Sequence, residues 1–354
     1  MSPLLIYYWL AAIFILGTVV GSFINVVIAR LPLERSLIWP GSRCGSCFQD
    51  IRWYDNIPIL SYLWLRGRCR TCGQGFSAGY LGVELVTGLL FAGLFYLEVV
   101  LNIHNWPDLG PRGGVIVVPW SWPLILGFMH HAVLLTFLIS ASGCDLQGRE
   151  IPFPLTLTGT LIGLMLSMPF AWPWPSTNPL PAPVAWPPSP LPEGIYAWPI
   201  WWPLPSWLPA FSWYEGLATG LAGALMGTFL LRAIGFIFGI GAGKEGLGLG
   251  DADLMMMVGS FLGWQMVLVA FFVSVGPGLF FGIFQALVRK DNSLPFGPSL
   301  AAGSMITCLC WGWIGPKLQI LFFWDTMMLI LAAASAVFFL GMSLLLRVLN
   351  AIKR

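Results

Sequence analysis

LLIYYWLAAIFILGTVVGSFINVVIA, residues 4–29, runs 26 residues without a charged side chain and stops at Arg30. A helix of about 20 apolar residues crosses a bilayer core of roughly 30 Å, so this stretch is long enough to span. No basic residue precedes it and no small-residue cleavage site follows, so it reads as a retained transmembrane helix rather than a removed signal peptide. The rest of the 354-residue chain agrees. It is 57% hydrophobic and only 9% charged, too few ionisable groups to build a water-soluble surface.

Further apolar stretches fall at 80–101, 122–142, 154–170, 216–239, 254–264, 267–287, 300–314 and 318–349. Two are short, and the chain can turn near Gly263-Trp264, so the expectation is eight or nine transmembrane helices. The fold class is an all-α, polytopic membrane bundle with a small extramembrane loop domain. The divisions expected are a first span within 1–31, a loop domain at 32–79, a membrane core at 80–316 and a further C-terminal span within 317–354. Membrane lipids are the expected surroundings, and nothing points to nucleic acid.

Charge sets the expected sidedness. With nine spans and the N-terminus outside, the inner segments hold 15 of the 17 Lys and Arg residues, leaving only Arg112 and Lys317 outside. The loop at 32–79 then faces the cytoplasm. A second loop, 171–213, faces outward and carries 13 of 28 prolines and 8 of 19 tryptophans. That much proline favours extended chain over helix, and tryptophan suits the headgroup level, so an interfacial lid or spacer is expected.

The inner loop contains Cys44-Gly-Ser-Cys47 and Cys69-Arg-Thr-Cys72. Four thiolates in two such pairs suit a tetrahedral zinc, and the reducing cytosol disfavours disulfides. With no open coordination position, the ion organises the loop and does not catalyse. Gly45 and Gly73 are expected to let the backbone turn tightly beside the ligands. Cys144, Cys308 and Cys310 read as small buried residues.

Carboxylates near a bilayer are functional candidates. Asp145 stands where the third span meets the inner face, and Asp251, in Gly248-Leu-Gly-Asp251, where the fifth span returns to it. Each alone could cap a helix. Together they could share a proton, one activating water and the other donating to a carbonyl or leaving amine. A transporter or channel could use the same acids as a proton or cation site, and a non-enzymatic assembly factor would need neither. Glu84 and Asp253 are further acids at this face, able to support the pair or to cap helices. His130-His131 fall inside the third span and read as packing or bundle hydrogen bonds; no G-x-S-x-G, H-E-x-x-H or Walker-type loop occurs.

Gly-Leu-Gly-Asp251 resembles the G-x-G-D signature of membrane aspartic peptidases. Gly21-Ser-Phe-Ile-Asn-Val-Val-Ile-Ala-Arg30-Leu-Pro, the cysteine pairs with Trp53-Tyr-Asp-Asn-Ile-Pro58 and Leu65-Arg-Gly-Arg-Cys69, Tyr80–Gly88 with Glu84, Asp145 with Ile151-Pro152, and Pro295-Phe-Gly-Pro298 follow in the order of the bacterial type IV prepilin peptidases. The resemblance implies that Asp145 and Asp251 are the catalytic pair and that Cys44, Cys47, Cys69 and Cys72 hold a structural zinc. It implies a bacterial inner-membrane location and a prepilin or pseudopilin substrate, cut after a short basic leader ending in Gly. It further implies N-methylation of the new amine with S-adenosylmethionine, which many members carry out. Asp253 stands where the family usually has Lys, and Gly79 where it usually has Arg; the loop 171–213 and the last span look like additions.

Overall fold

The structure, a computed structural model, describes residues 3–104, 122–169, 212–243, 248–288, 296–322 and 325–352. The loop at 171–211, Lys244 beside the G-x-G-D stretch, and the first residue of Pro295–Pro298 lie outside them. All the described secondary structure is helical apart from two isolated bridges. The helices are α1 (Pro3–Arg30), α2 (Leu60–Trp64), α3 (Ala78–Phe95), α4 (Trp122–Leu146), α5 (Phe153–Ser167), α6 (Trp213–Ala242), α7 (Leu249–Val288), α8 (Gly297–Phe322) and α9 (Asp325–Ile352). Each of the nine apolar stretches corresponds to one of these helices or to half of α7. Six, namely α1, α3, α4, α6, α7 and α9, are long and apolar enough to cross a membrane, so the chain is a multi-pass membrane protein. At 15 residues α5 is shorter.

The 40 residues of α7 would extend about 60 Å as one straight helix, twice a bilayer core. The break is at Gly263, where φ is 80° and ψ 171°, a conformation only glycine adopts readily. The turn expected near Gly263-Trp264 is therefore a local interruption between two helical halves.

The chain forms two compact units, α1–α4 and α5–α9, divided at Pro152. In the first, α1 packs along α3 through small residues. A Cβ on Gly21 would stand 2.8 Å from the Glu84 Cα, and one on Gly17 would stand 2.9 Å from the Gly88 Cα. Lipid tails are as apolar as leucine, so close backbone contact, not hydrophobic exclusion, is what holds such helices together. The Nδ2 of Asn25 donates to the Tyr80 carbonyl at 2.9 Å across the same pair. On α4, Gly143 lies over Ile28, and fully buried Cys144 packs with Ile24 and Ile28. Past Phe95, α3 widens into a π-helical turn, Tyr96–Val100, that carries Glu98. The Glu98 Oε1 lies 2.5 Å from the His131 Nδ1, both side chains fully buried, so a polar pair is held within the apolar bundle.

In the second unit α6 and α7 meet along glycines. Cβ atoms on Gly223 and Gly227 would collide with the carbonyls of Gly259 and Met255. The Ser167 hydroxyl of α5 donates to the Ser260 carbonyl of α7 at 2.9 Å. Large side chains point the other way: Phe229, Phe236, Phe280 and Phe338 are all exposed, as a surface in contact with lipid requires.

Candidate active site and metal centre

The cysteine loop consists of two copies of one turn, 25 residues apart. In the first, the Cys44 N–H donates to the Gln49 carbonyl, the Phe48 N–H to the Cys44 carbonyl and the Ile51 N–H to the Ser42 carbonyl. In the second, Cys69 donates to Gln74, Gly73 to Cys69 and Phe76 to Gly67. Each copy closes on one isolated bridge, Arg43 with Asp50 and Arg68 with Gly75. The left-handed position of each turn is Phe48 (φ 56°) in one and Gly73 (φ 71°) in the other. Gly73 therefore meets its expected role. Gly45 does not: its φ is not positive and its surroundings are open, so the first turn is made at Phe48.

The turns bring the four thiols together. Cys44 Sγ lies 3.7 Å from Cys72 Sγ, and Cys47 Sγ 4.0 Å from Cys69 Sγ, with all four within 4.8 Å of one another. Zinc–sulfur bonds of about 2.3 Å in a tetrahedron set sulfurs roughly 3.8 Å apart, so the cluster fits a four-coordinate metal ion. The electrostatics agree. Backbone N–H groups of Cys47 and Ser46 aimed at the Cys44 sulfur lower its pKa to about 6. Those of Cys72 and Thr71 lower Cys69 in the same way. Cys72 receives the Gln74 N–H, which lowers it, yet burial and the neighbouring thiols carry it up to about 11. Four sulfurs so close resist complete ionisation, and a bound cation would relieve that repulsion.

The loop is tied to α1 and α3 and clasped internally by the Asp55–Arg70 ion pair. The Arg30 guanidinium at the end of α1 donates to the carbonyls of Ser36, Pro40 and Gly41 at 3.2, 2.7 and 2.9 Å. Glu84 of α3 accepts the Ile59 N–H at 2.8 Å, fixing a residue with φ 61° at the start of α2. Asp55 is gripped by the Arg70 fork, with Nη2 at 2.6 Å and Nε at 2.9 Å. The hydrogen bonds from Arg70 hold the Asp55 pKa below its usual range. Glu84 is thus a fastener of the loop, a role that charge placement does not reveal. The α3 helix starts on a Ser77 cap that accepts the Gly79 N–H, so Gly79 lies in its first turn.

Asp145 is half-buried in the last turn of α4. Its carbonyl accepts the Gly148 N–H at 2.8 Å, and at Gly148 the chain turns left-handed (φ 69°). Arg149 then donates to the Ile28 carbonyl of α1 at 3.2 Å, fixing the end of α4 against α1. Asp251 lies in the first turn of α7, half-buried, its Oδ2 close to where a Cβ on Gly248 would stand. A carboxylate there sits at the positive end of the helix dipole. Two residues on, buried Asp253 faces α6 and accepts from Arg232 Nη2 at 3.1 Å. Where the resemblance leads one to expect a lysine, the chain has an acid already matched by an arginine. Cys144 and Cys308 are buried as expected, whereas Cys310 is exposed.

Comparison with known proteins places these features in two matched segments. The family described as "Bacterial Peptidase A24 N-terminal domain" matches residues 15–97, which hold the four cysteines, and "Type IV leader peptidase family" matches residues 195–283, which hold Asp251. Asp145 lies between them. The chain is 30% identical to the prepilin leader peptidase/N-methyltransferase of Pectobacterium carotovorum subsp. carotovorum, over 84% of its length and 92% of that protein. It is 30% identical to the protein of the same name from Aeromonas salmonicida, over 86% and 92%. The protein of that name from Myxococcus xanthus is also 30% identical, but only 62% of its length is covered. No solved structure matches the chain.

Proposed function

The chain belongs to the prepilin leader peptidase/N-methyltransferase family, and on that premise we propose that it cuts the basic leader from prepilins or pseudopilins with Asp145 and Asp251. The observation that carries this reading is Asp251, in the first turn of α7 within the segment that matches the type IV leader peptidases. In the reaction, one aspartate in its ionised form takes a proton from water, and the water oxygen bonds to the scissile carbonyl carbon. The other, protonated, donates to the carbonyl oxygen. Collapse of the tetrahedral intermediate breaks the C–N bond, and the abstracted proton leaves on the new amine. No covalent enzyme intermediate forms.

We assign the cysteine loop to the cytoplasmic side of a bacterial inner membrane and the N-terminus to the outside, a reading supported by the distribution of Lys and Arg. The four cysteines would hold zinc, which would fasten the two turns together without an open position for catalysis. The relatives' names support N-methylation of the new amine as a second activity, with S-adenosylmethionine as donor. No observation favours the ion-transport reading. The test is incubation of purified protein with a prepilin peptide spanning leader and apolar helix, read by mass spectrometry. The expected product begins immediately after the leader glycine and gains one methyl mass when S-adenosylmethionine is added. An intact peptide would refute the reading.

A further inference from the structure

Within the first unit, a cavity of about 870 Å³ lies between α1, the cysteine loop and the start of α3. Its walls differ in character. One is the side of α1 that carries Val19, Phe23 and Val26. Val19 and Phe23 are 52% and 53% exposed although they line the cavity, so it opens sideways where the helix meets hydrocarbon. The other wall is the loop, which contributes Arg35, Arg43, Arg68 and Asp55, flanked by Arg30 at the end of α1 and Glu84 of α3.

The existing contacts decide which of these charges remain available. Arg30 is spent on loop carbonyls and Arg43 on Asp50 at 2.7 Å. Asp55 is paired with Arg70, whereas Glu84 accepts the neutral Ile59 N–H and keeps its negative charge. Among the described residues, the guanidinium groups of this wall whose N–H donors are not already engaged are those of Arg35 and Arg68. Both stand on fixed backbone: Arg35 donates its N–H to the Arg30 carbonyl at 3.1 Å just past α1, and Arg68 donates to Leu65 at 3.1 Å while bridging Gly75. Two free guanidinium groups thus border an apolar slot at the end of a membrane span.

We propose that this cavity binds an anionic phospholipid, its phosphodiester on Arg35 and Arg68 and an acyl chain along Val19, Phe23 and Val26 of α1. A guanidinium pairs with phosphate through parallel N–H donors, and basic pockets at the ends of spans suit anionic headgroups. The net positive charge of the wall, three arginines without a carboxylate partner against Glu84, favours an anion over a basic peptide leader. From the function proposed above the inference takes only the leaflet, the cytoplasmic one.

The test is lipid retention by the full-length protein in detergent, read by native mass spectrometry after exposure to vesicles of phosphatidylglycerol and phosphatidylethanolamine in equal amounts. Wild type should retain about one phosphatidylglycerol per chain, and the Arg35→Gln/Arg68→Gln variant should bind it roughly 25-fold more weakly, at about fivefold per arginine. Equal retention of the two lipids by wild type would overturn the proposal, as would undiminished phosphatidylglycerol on the double variant. So would displacement of the lipid by S-adenosylmethionine, which would give the cavity to the methyl donor. A second measurement needs no variant. Phosphatidylglycerol with a photoactivatable acyl chain should label the α1 peptide that contains Phe23, whereas labelling spread evenly over all spans would overturn the site. Neither readout involves cleavage, so failure here leaves the peptidase reading standing.

Discussion

Phe48 and Gly73 occupy the same position in two copies of one turn, and only one of them is a residue the conformation suits. A left-handed backbone costs a residue with a side chain about 1 kcal/mol or more relative to glycine. Phe48 is also 73% exposed, so its ring recovers little by burial. Phe48→Gly is therefore expected to tighten metal binding about fivefold, measured by competition with a chromophoric zinc chelator, and unchanged or weaker binding would contradict the geometry. Asp55 gives a prediction with a pH sign. Its pKa is lowered by Arg70, so its stabilisation is present in full above the ordinary carboxylate range and fades as pH falls through the lowered value. The gap in urea stability between wild type and Asp55→Asn should accordingly be widest near neutral pH and close in acid. A constant gap would show that the pair does not act through charge. Such roles are only partly legible in the sequence. The four cysteines announce themselves by spacing, because metal ligation fixes spacing. That Phe48 replaces the glycine of its twin turn, that Glu84 holds Ile59, and that Glu98 meets His131 depend on chain paths that no local pattern records.

Helix positions were readable because the membrane demands long apolar runs, and each expected stretch has its helix. The small residues that join them are quieter in sequence, since glycines in an apolar run serve packing or bending alike. At Gly263 the glycine breaks α7; at Gly223 it lets α6 lie against the Gly259 backbone. Gly223→Leu must push these helices apart, and overpacking of this kind costs about 1–3 kcal/mol or more. The expected result is a lowered melting temperature in detergent with zinc content unchanged, because the cysteine loop belongs to the other unit. Loss of zinc together with loss of α6–α7 packing would contradict the independence of the two units.

At the scale of the whole molecule, the chain divides its tasks between a unit that carries the cysteine loop and Asp145 and a unit that carries Asp251. Its family follows from relatives matched along most of the chain, and that match contains the cysteine loop and Asp251 in separate segments. The sequence marked Asp145 and Asp251 through their position at the ends of spans, where an acid is costly enough to need a reason. It could not mark Asp253 as the partner of Arg232. We propose that Asp145 and Asp251 act together on a prepilin. The most direct measurement is the cleavage rate of a prepilin peptide by Asp145→Asn, Asp251→Asn and the double variant, with the melting temperature in detergent as the check on folding. Each single variant should lose about 10³-fold or more, and the double variant should be little worse than either. Cleavage within about tenfold of wild type by Asp251→Asn would contradict the account.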